Sequence, residues 1–274
     1  MKIDSHQHFW KLERGDYRWL TPDLEVLYRD HSPGELRNIL DRAGIDGTIA
    51  VQAADSEAET EYLLSLSDAH DWIRGVVGWT DLAAPDAGDA VARLARRRGL
   101  AGIRPMIQDI ADDAWMLGGS LGGGIEAMIG AGLVFDALVF PRHLGYLREF
   151  AVRYPGLRVV VDHCAKPRIG GGEFESWSAG LAAAARSENV FCKLSGLVTE
   201  AGANWTAEDL RPYMSYARDI FGFERLLFGS DWPVVNLASS YGDWLGVARD
   251  FLCDASEAEV SAVMGGNALE VYGL

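Results

Sequence analysis

The stretch Arg158-Val159-Val160-Val161-Asp162-His163-Cys164-Ala165-Lys166-Pro167 decides the fold. Three consecutive valines, with no polar alternation, are the pattern of a strand covered on both faces in a parallel sheet. The run then gives way to an acid, an imidazole, a thiol and an amine, so reactive groups gather where the strand ends. That order recurs along the chain. Candidate strands fall at residues 2–7, 48–52, 75–79, 101–104, 134–139, 158–162, 190–194 and 226–228.

Longer amphipathic segments separate these runs. Residues 33–43 read as a helix, with Ser32 as N-cap, Pro33 in the first turn and Gly44 as the stop. Segments 57–70, 85–98, 144–154, 174–187, 207–221 and 256–263 continue the series. Strand and helix alternating eight times predict an α/β protein, a single (β/α)8 TIM barrel over residues 1–274 with its active site at the C-terminal ends of the strands. An open doubly wound sheet would carry a glycine-rich phosphate turn after its first strand, and that turn here is His6-Gln7-His8. The glycine clusters at 118–124 and 170–172 read as flexible loops, with no Gly-Lys-Ser/Thr element to make a phosphate cradle. Residues 9–30 form a long loop bearing Trp and Tyr that is expected to wall the site, and residues 108–124 are expected to share in setting specificity.

Charge and composition narrow the partners. The chain has 274 residues, 24% of them charged and 49% hydrophobic, which excludes a disordered polymer. A formal net charge of −15 argues against nucleic acid, which needs a basic footprint. The Arg96-Arg97-Arg98 run, just before Gly99, reads as the cationic last turn of a helix. Cys164, Cys192 and Cys253 are odd in number, so no disulfide framework is expected and a cytoplasmic location fits. No window is apolar enough to span a membrane, and the first residues do not resemble a signal peptide. A homo-oligomer is left open.

Chemistry enters at the strand ends. His6 and His8 stand at i and i+2 and face one side of a strand, as metal ligation or substrate polarisation requires, and as a structural hydrogen-bonded pair would also do. The sixth strand runs into Asp162-His163, the eighth into Gly229-Ser230-Asp231-Trp232-Pro233, and others end in Gln52, Trp79, Arg104 and Lys193. On a barrel these ends form one rim. Ser195 and Ser230 lack a nucleophile elbow and Cys164 has no activating arrangement, so covalent catalysis is not expected. His31 and His70 read as surface residues.

Together, His6-Gln7-His8, Asp162-His163 and Gly229-Ser230-Asp231-Trp232-Pro233 resemble the amidohydrolase superfamily, in its amidohydrolase-2 branch. The segments Ile3-Asp4-Ser5-His6-Gln7-His8-Phe9-Trp10, Val161–Pro167 and Cys192-Lys193-Leu194-Ser195-Gly196-Leu197 resemble its sugar-lactone hydrolases, the L-fuconolactone and L-rhamnonolactone group. The resemblance implies hydrolysis of a small lactone, with Asp231 as the base that activates water and then returns the proton. It departs from two-metal members. The fourth strand ends in Arg104, the fifth carries Asp136, the seventh Lys193 and Ser195, and no second later-strand histidine appears. His6, His8, His163 and Asp231 would hold one divalent ion, zinc first, or the histidines would act directly as donors without metal. Arg104 and Lys193 are expected to hold substrate oxygens or to serve as barrel ion-pair partners. Gln52, Trp79 and Trp232 are candidates for sugar contact or plain packing, and His143 for the rim. A zinc-dependent non-oxidative decarboxylase of the same branch and a catalytically silent sugar-binding barrel are the alternatives.

Overall fold

In the computed structural model, which describes residues 1–274, the valine run is the sixth of eight parallel strands. They are β1 (Ile3–Gln7), β2 (Gly47–Val51), β3 (Ile73–Gly78), β4 (Leu100–Ile103), β5 (Val134–Ala137), β6 (Val159–Val161), β7 (Val190–Leu194) and β8 (Leu226–Phe228). Each pairs with the next in chain order. The ring closes beyond β8, where Gln7 bridges Trp232, the His8 N–H donates to the Trp232 carbonyl at 2.7 Å and the Asp231 N–H to the His6 carbonyl at 2.8 Å. This is the expected (β/α)8 barrel.

Helices surround it: α1 (Pro33–Ala43), α2 (Glu57–Ala69), α3 (Ala87–Leu94), α4 (Gly122–Ala131), α5 (Leu144–Arg153), α6 (Glu175–Ala185), α7 (Leu197–Ala201), α8 (Ala207–Phe221), α9 (Tyr241–Phe251), α10 (Glu257–Ser261) and α11 (Asn267–Tyr272). One apolar layer, with Phe135, Phe150 and Trp177 among its largest members, lies between strands and helices. A second, smaller cluster contains Ile3, Ile49, Val77, Val134, Val160 and Leu227, packed with Ala268, Val271 and Tyr272 of α11. The inward positions are therefore apolar low in the barrel, and the terminal helix packs against that layer.

Four local expectations change. The glycines of 118–124 are not a flexible loop: Gly122 begins α4. Glycine is needed there for close approach, because a Cβ on Gly124 would stand 3.0 Å from Leu82 Cδ2 and 3.3 Å from Ala87 Cβ. Helix α3 stops at Leu94, so the arginine run lies beyond it, and Arg97 pairs with Glu61 and Asp68 instead of capping a helix. Gly170 and Gly171 sit in a short 3-10 turn, Ile169–Gly171. His31 is not a surface residue; it is fully buried, edge-on to the rings of Trp10 and Trp232.

The long loop after β1 contains the turn Leu12–Arg14, and its Trp10, Tyr17, Leu20 and Leu27 make a small core against Ala53 and Ala54 beyond β2. No helix is long and apolar enough to cross a membrane. The tight α3–α4 contact gives a stability test. Gly124→Val should destabilise the protein by about 1–3 kcal/mol through overpacking, read from the urea midpoint at constant m-value. An unchanged midpoint would show that α4 can move aside.

Candidate active site

A seam between β1 and the residues after β8 aligns the reactive groups. Asp4 Oδ1 accepts the Ser230 N–H at 2.8 Å, and its Oδ2 accepts from the Tyr241 hydroxyl at 3.1 Å. Burial pushes the Asp4 carboxyl up to about 6, and these donors oppose the rise. The β1–β2 register slips between Asp4 and Gln7, the kind of irregularity that re-aims side chains. Gly229 is required beside it, because a Cβ there would fall 2.7 Å from His6 Cβ.

Three imidazoles converge on one carboxylate oxygen. Asp231 Oδ1 stands 3.2 Å from His8 Nε2, 3.7 Å from His6 Nε2 and 3.9 Å from His163 Nε2. His8 Nδ1 lies 2.8 Å from the Val51 carbonyl, which can only accept, so the proton sits on Nδ1. In that tautomer the His8 Nε2 lone pair faces the Asp231 oxygen. Two acceptors so placed call for a cation between them, either a metal ion or a proton. His163 Nδ1 lies 2.8 Å from Ser195 Oγ, and a Cβ on Gly196 would fall 2.6 Å from that same nitrogen. Burial holds the His6 imidazole well below its ordinary range, although Asp162 opposes it, and brings His163 down to about 4. Burial works the other way on Asp231, yet His163, His8 and His6 keep its carboxyl well below the usual carboxylate range. Burial thus favours the neutral imidazole at His6 and His163, beside an ionised Asp231 carboxylate.

That donor set fits a divalent ion. Ligand atoms of His6, His163 and Asp231 all lie within 4.8 Å of one another, and His8 approaches from the carboxylate side. Nitrogen and oxygen donors in this number leave an open position of the kind catalytic metal sites keep.

Beneath the imidazoles lies a layer of buried charge. Lys193 Nζ forms an ion pair with Asp136 and stands 3.0 Å from Asp162 Oδ1 and 3.2 Å from His6 Nδ1. Arg104 Nη1 donates to Asp162 Oδ2 at 3.2 Å, its Nη2 donates to the Gln52 carbonyl, and its buried Nε has no partner. The Tyr272 hydroxyl donates to Asp136 at 2.8 Å from α11.

The site opens into a cavity of about 320 Å³, at the lower end of the range for small-molecule sites, about 300–1,000 Å³. His8, His163, Asp231 and Arg104 line it; Lys193, Gln52, Trp79, Trp232 and His143 do not. Lys193 is one layer too deep. Gln52 spends its Nε2 on the Arg104 carbonyl at 2.8 Å. Trp232, a candidate for sugar contact or plain packing, is packed edge-on against Phe9 and His31. His143 accepts the Phe140 N–H and meets Asp113, as a helix-start residue. Trp79 is half-buried, with its backbone tied to Thr60 Oγ1. Sequence reasoning missed Lys166 and Glu200, which line the cavity from the turn after β6 and from α7, whereas Trp19 and Gln108, also lining it, fall in the segments 9–30 and 108–124 expected to wall the site and set specificity. Lys166 had a legible signal, since it follows His163 within the strand-end cluster.

A parallel barrel carrying this histidine–aspartate cluster at its C-terminal rim is the architecture of a hydrolase class, and the chain matches the family described as Amidohydrolase over residues 3–274; it belongs to that family. It is 44% identical to an L-fucono-1,5-lactonase of Burkholderia ambifaria over 99% of this chain and 95% of the relative. A Burkholderia multivorans L-fucono-1,5-lactonase is 38% identical over 100% of this chain and 96% of the relative. A crystal structure of a Burkholderia multivorans amidohydrolase with bound zinc superposes with a TM-score of 0.95 at 38% identity, covering 100% of this chain and 99% of that one. These likenesses support a metal ion at this site.

Lys193→Met should cost about 3–5 kcal/mol, because it leaves Asp136 and Asp162 buried without their cation. Chemical denaturation checks this, and an unaltered stability would return Lys193 to a role in substrate contact.

Proposed function

We propose that this lactonase of the amidohydrolase family hydrolyses a sugar aldono-1,5-lactone, with L-fucono-1,5-lactone the first substrate to test. The observation that carries the reading is the convergence of His6, His8 and His163 on Asp231 Oδ1, beside a cavity of about 320 Å³ that His8, His163 and Asp231 line. The two curated relatives, both L-fucono-1,5-lactonases, support the substrate class.

Ring opening needs a nucleophilic water, a donor for the oxyanion that forms at the carbonyl, and a proton for the departing ring oxygen. Asp231 is ionised and takes the proton from water. His8, anchored through Nδ1 on the Val51 carbonyl, turns its Nε2 toward the same space as Asp231 Oδ1. Arg104 lines the cavity and brings its guanidinium toward the lactone carbonyl oxygen. Once the C–O bond breaks, Asp231 returns its proton to the ring oxygen, and the product leaves as the open hydroxy acid. His6, His163 and Asp231 would hold a divalent ion, zinc by our reading of the nitrogen-rich set, and it would polarise the carbonyl and acidify water. Free thiols at Cys164, Cys192 and Cys253 support a cytoplasmic location.

A pH-indicator assay on aldono-1,5-lactones, corrected for spontaneous hydrolysis, should show turnover. Asp231→Asn should lower kcat by about 10²–10⁴-fold, the usual contribution of a general base. Near-normal turnover in that variant would remove Asp231 from the mechanism. Elemental analysis should find one zinc per chain, lost with activity on chelation. Full activity in metal-free protein would leave the histidines as direct donors.

A further inference from the structure

The turn that follows β6 has an unusual backbone. His163, Cys164, Ala165 and Lys166 all take positive φ, from 50° to 60°. Left-handed conformation costs roughly 1–2 kcal/mol for each non-glycine residue and is concentrated at functional sites. The Lys166 N–H donates to the His163 carbonyl at 2.8 Å, so the run closes on itself. Its two inner residues, Cys164 and Ala165, are fully buried in the core, whereas its two outer residues, His163 and Lys166, both line the cavity. The strained turn therefore delivers an ammonium to the same space as the imidazole. A right-handed turn of the same four residues would project them differently.

The ammonium is held but not neutralised. Lys166 Nζ donates to Gln108 Oε1 at 2.8 Å and lies 5.6 Å from the Phe140 ring centroid, and it forms no ion pair. Gln108 is itself fixed, since its N–H donates to the Leu138 carbonyl and its carbonyl accepts from Arg142. An ammonium has three N–H donors, so two remain for a ligand. Glu200 also lines this cavity; burial and Asp231 push its carboxyl up while Lys166 opposes them. Much of the rest of the wall is apolar, with Trp19, Leu24, Met106, Leu138, Val234 and Leu237.

We infer that Lys166, braced by Gln108 and sharing the cavity with Glu200, grips a ring hydroxyl of the lactone and is the residue that makes the site prefer polyhydroxylated rings over bare ones. The inference rests on the lactonase reading above and adds a specificity residue to it. Lys166 donates to the hydroxyl oxygen, and Glu200 accepts from a neighbouring hydroxyl. A bare six-membered ring offers neither contact and uses only the carbonyl-directed groups.

The test compares kcat/KM for L-fucono-1,5-lactone with that for δ-valerolactone, in wild type and in Lys166→Met. Loss of a charge-assisted hydrogen bond should reduce the ratio of the two at least about tenfold, carried mainly by KM for the sugar lactone. A ratio within twofold of wild type, whether both substrates fall together or neither changes, would overturn the assignment. Should Lys166→Met fail to fold by circular dichroism, Gln108→Leu removes the brace and must lower the same ratio, or the inference falls. A wild-type protein that opens neither lactone would sink the lactonase reading, an outcome distinct from a variant that discriminates as wild type does.

Discussion

Four charges buried inside the barrel are the constraint on which the rest of the site depends. Lys193, Asp136, Asp162 and Arg104 come from β7, β5 and the ends of β6 and β4, and all are nearly or wholly removed from solvent. Ions in such a place cost several kcal/mol each unless they are paired and hydrogen-bonded. Two cations against two anions balance, and their spacing leaves little freedom to neighbouring strands. Lys193, Arg104, Asp162 and His6 shape one another: burial opposes ionisation of Asp162, and Lys193, His6 and Arg104 hold its carboxyl well below the usual range. Asp136 is pushed up to about 6 by burial, with Lys193 opposing. His6 rests on top of this layer, and the imidazole cluster rests on His6.

The barrel interior is thus graded along its axis. Val134 and Val160 belong to an apolar layer packed on α11, and two residues further along the same strands stand Asp136 and Asp162. Successive inward positions on a strand are separated by about 6–7 Å, so one step of two residues passes from oil-like core to charge. Tyr272 joins the layers, because its ring packs in the apolar cluster while its hydroxyl donates to Asp136. The C-terminal helix therefore contributes to the site without reaching the cavity.

That grading explains what could be read from the sequence. Apolar runs with polar ends mark the eight strands, and the groups of His6, His8, His163 and Asp231 come together as their strand-end positions suggest. The same rule gives the wrong depth for Lys193, because a polar residue near a strand end can lie one inward layer below the rim. For Trp232 it leaves sugar contact and packing open, and the indole is taken up by packing against Phe9 and His31. Helix α4 escaped notice because its opening glycines, read alone, favour a loop, and only the approach of Leu82 and Ala87 requires them. Glu200 carries no local signal at all, and the short α7 brings it to the cavity, while Trp19, in the loop expected to wall the site, is held there by its Nε1 donating to the Ala53 carbonyl at 2.7 Å.

Backbone strain is confined to the same place. The non-glycine residues with positive φ are His163, Cys164, Ala165, Lys166 and Asp231, and each belongs to one of two turns, after β6 and after β8. Neither turn is left to itself. The Cys164 carbonyl accepts from Trp177 Nε1 at 2.6 Å, its thiol lies 3.4 Å from the Lys193 carbonyl, and Asp231 is tied through its N–H to His6. Packing and hydrogen bonds around the turns thus offset the cost of two turns that put an imidazole, an ammonium and a carboxylate around one small space. Relaxing either turn would improve local backbone energy and disperse those groups, so strain and site geometry are two descriptions of the same arrangement.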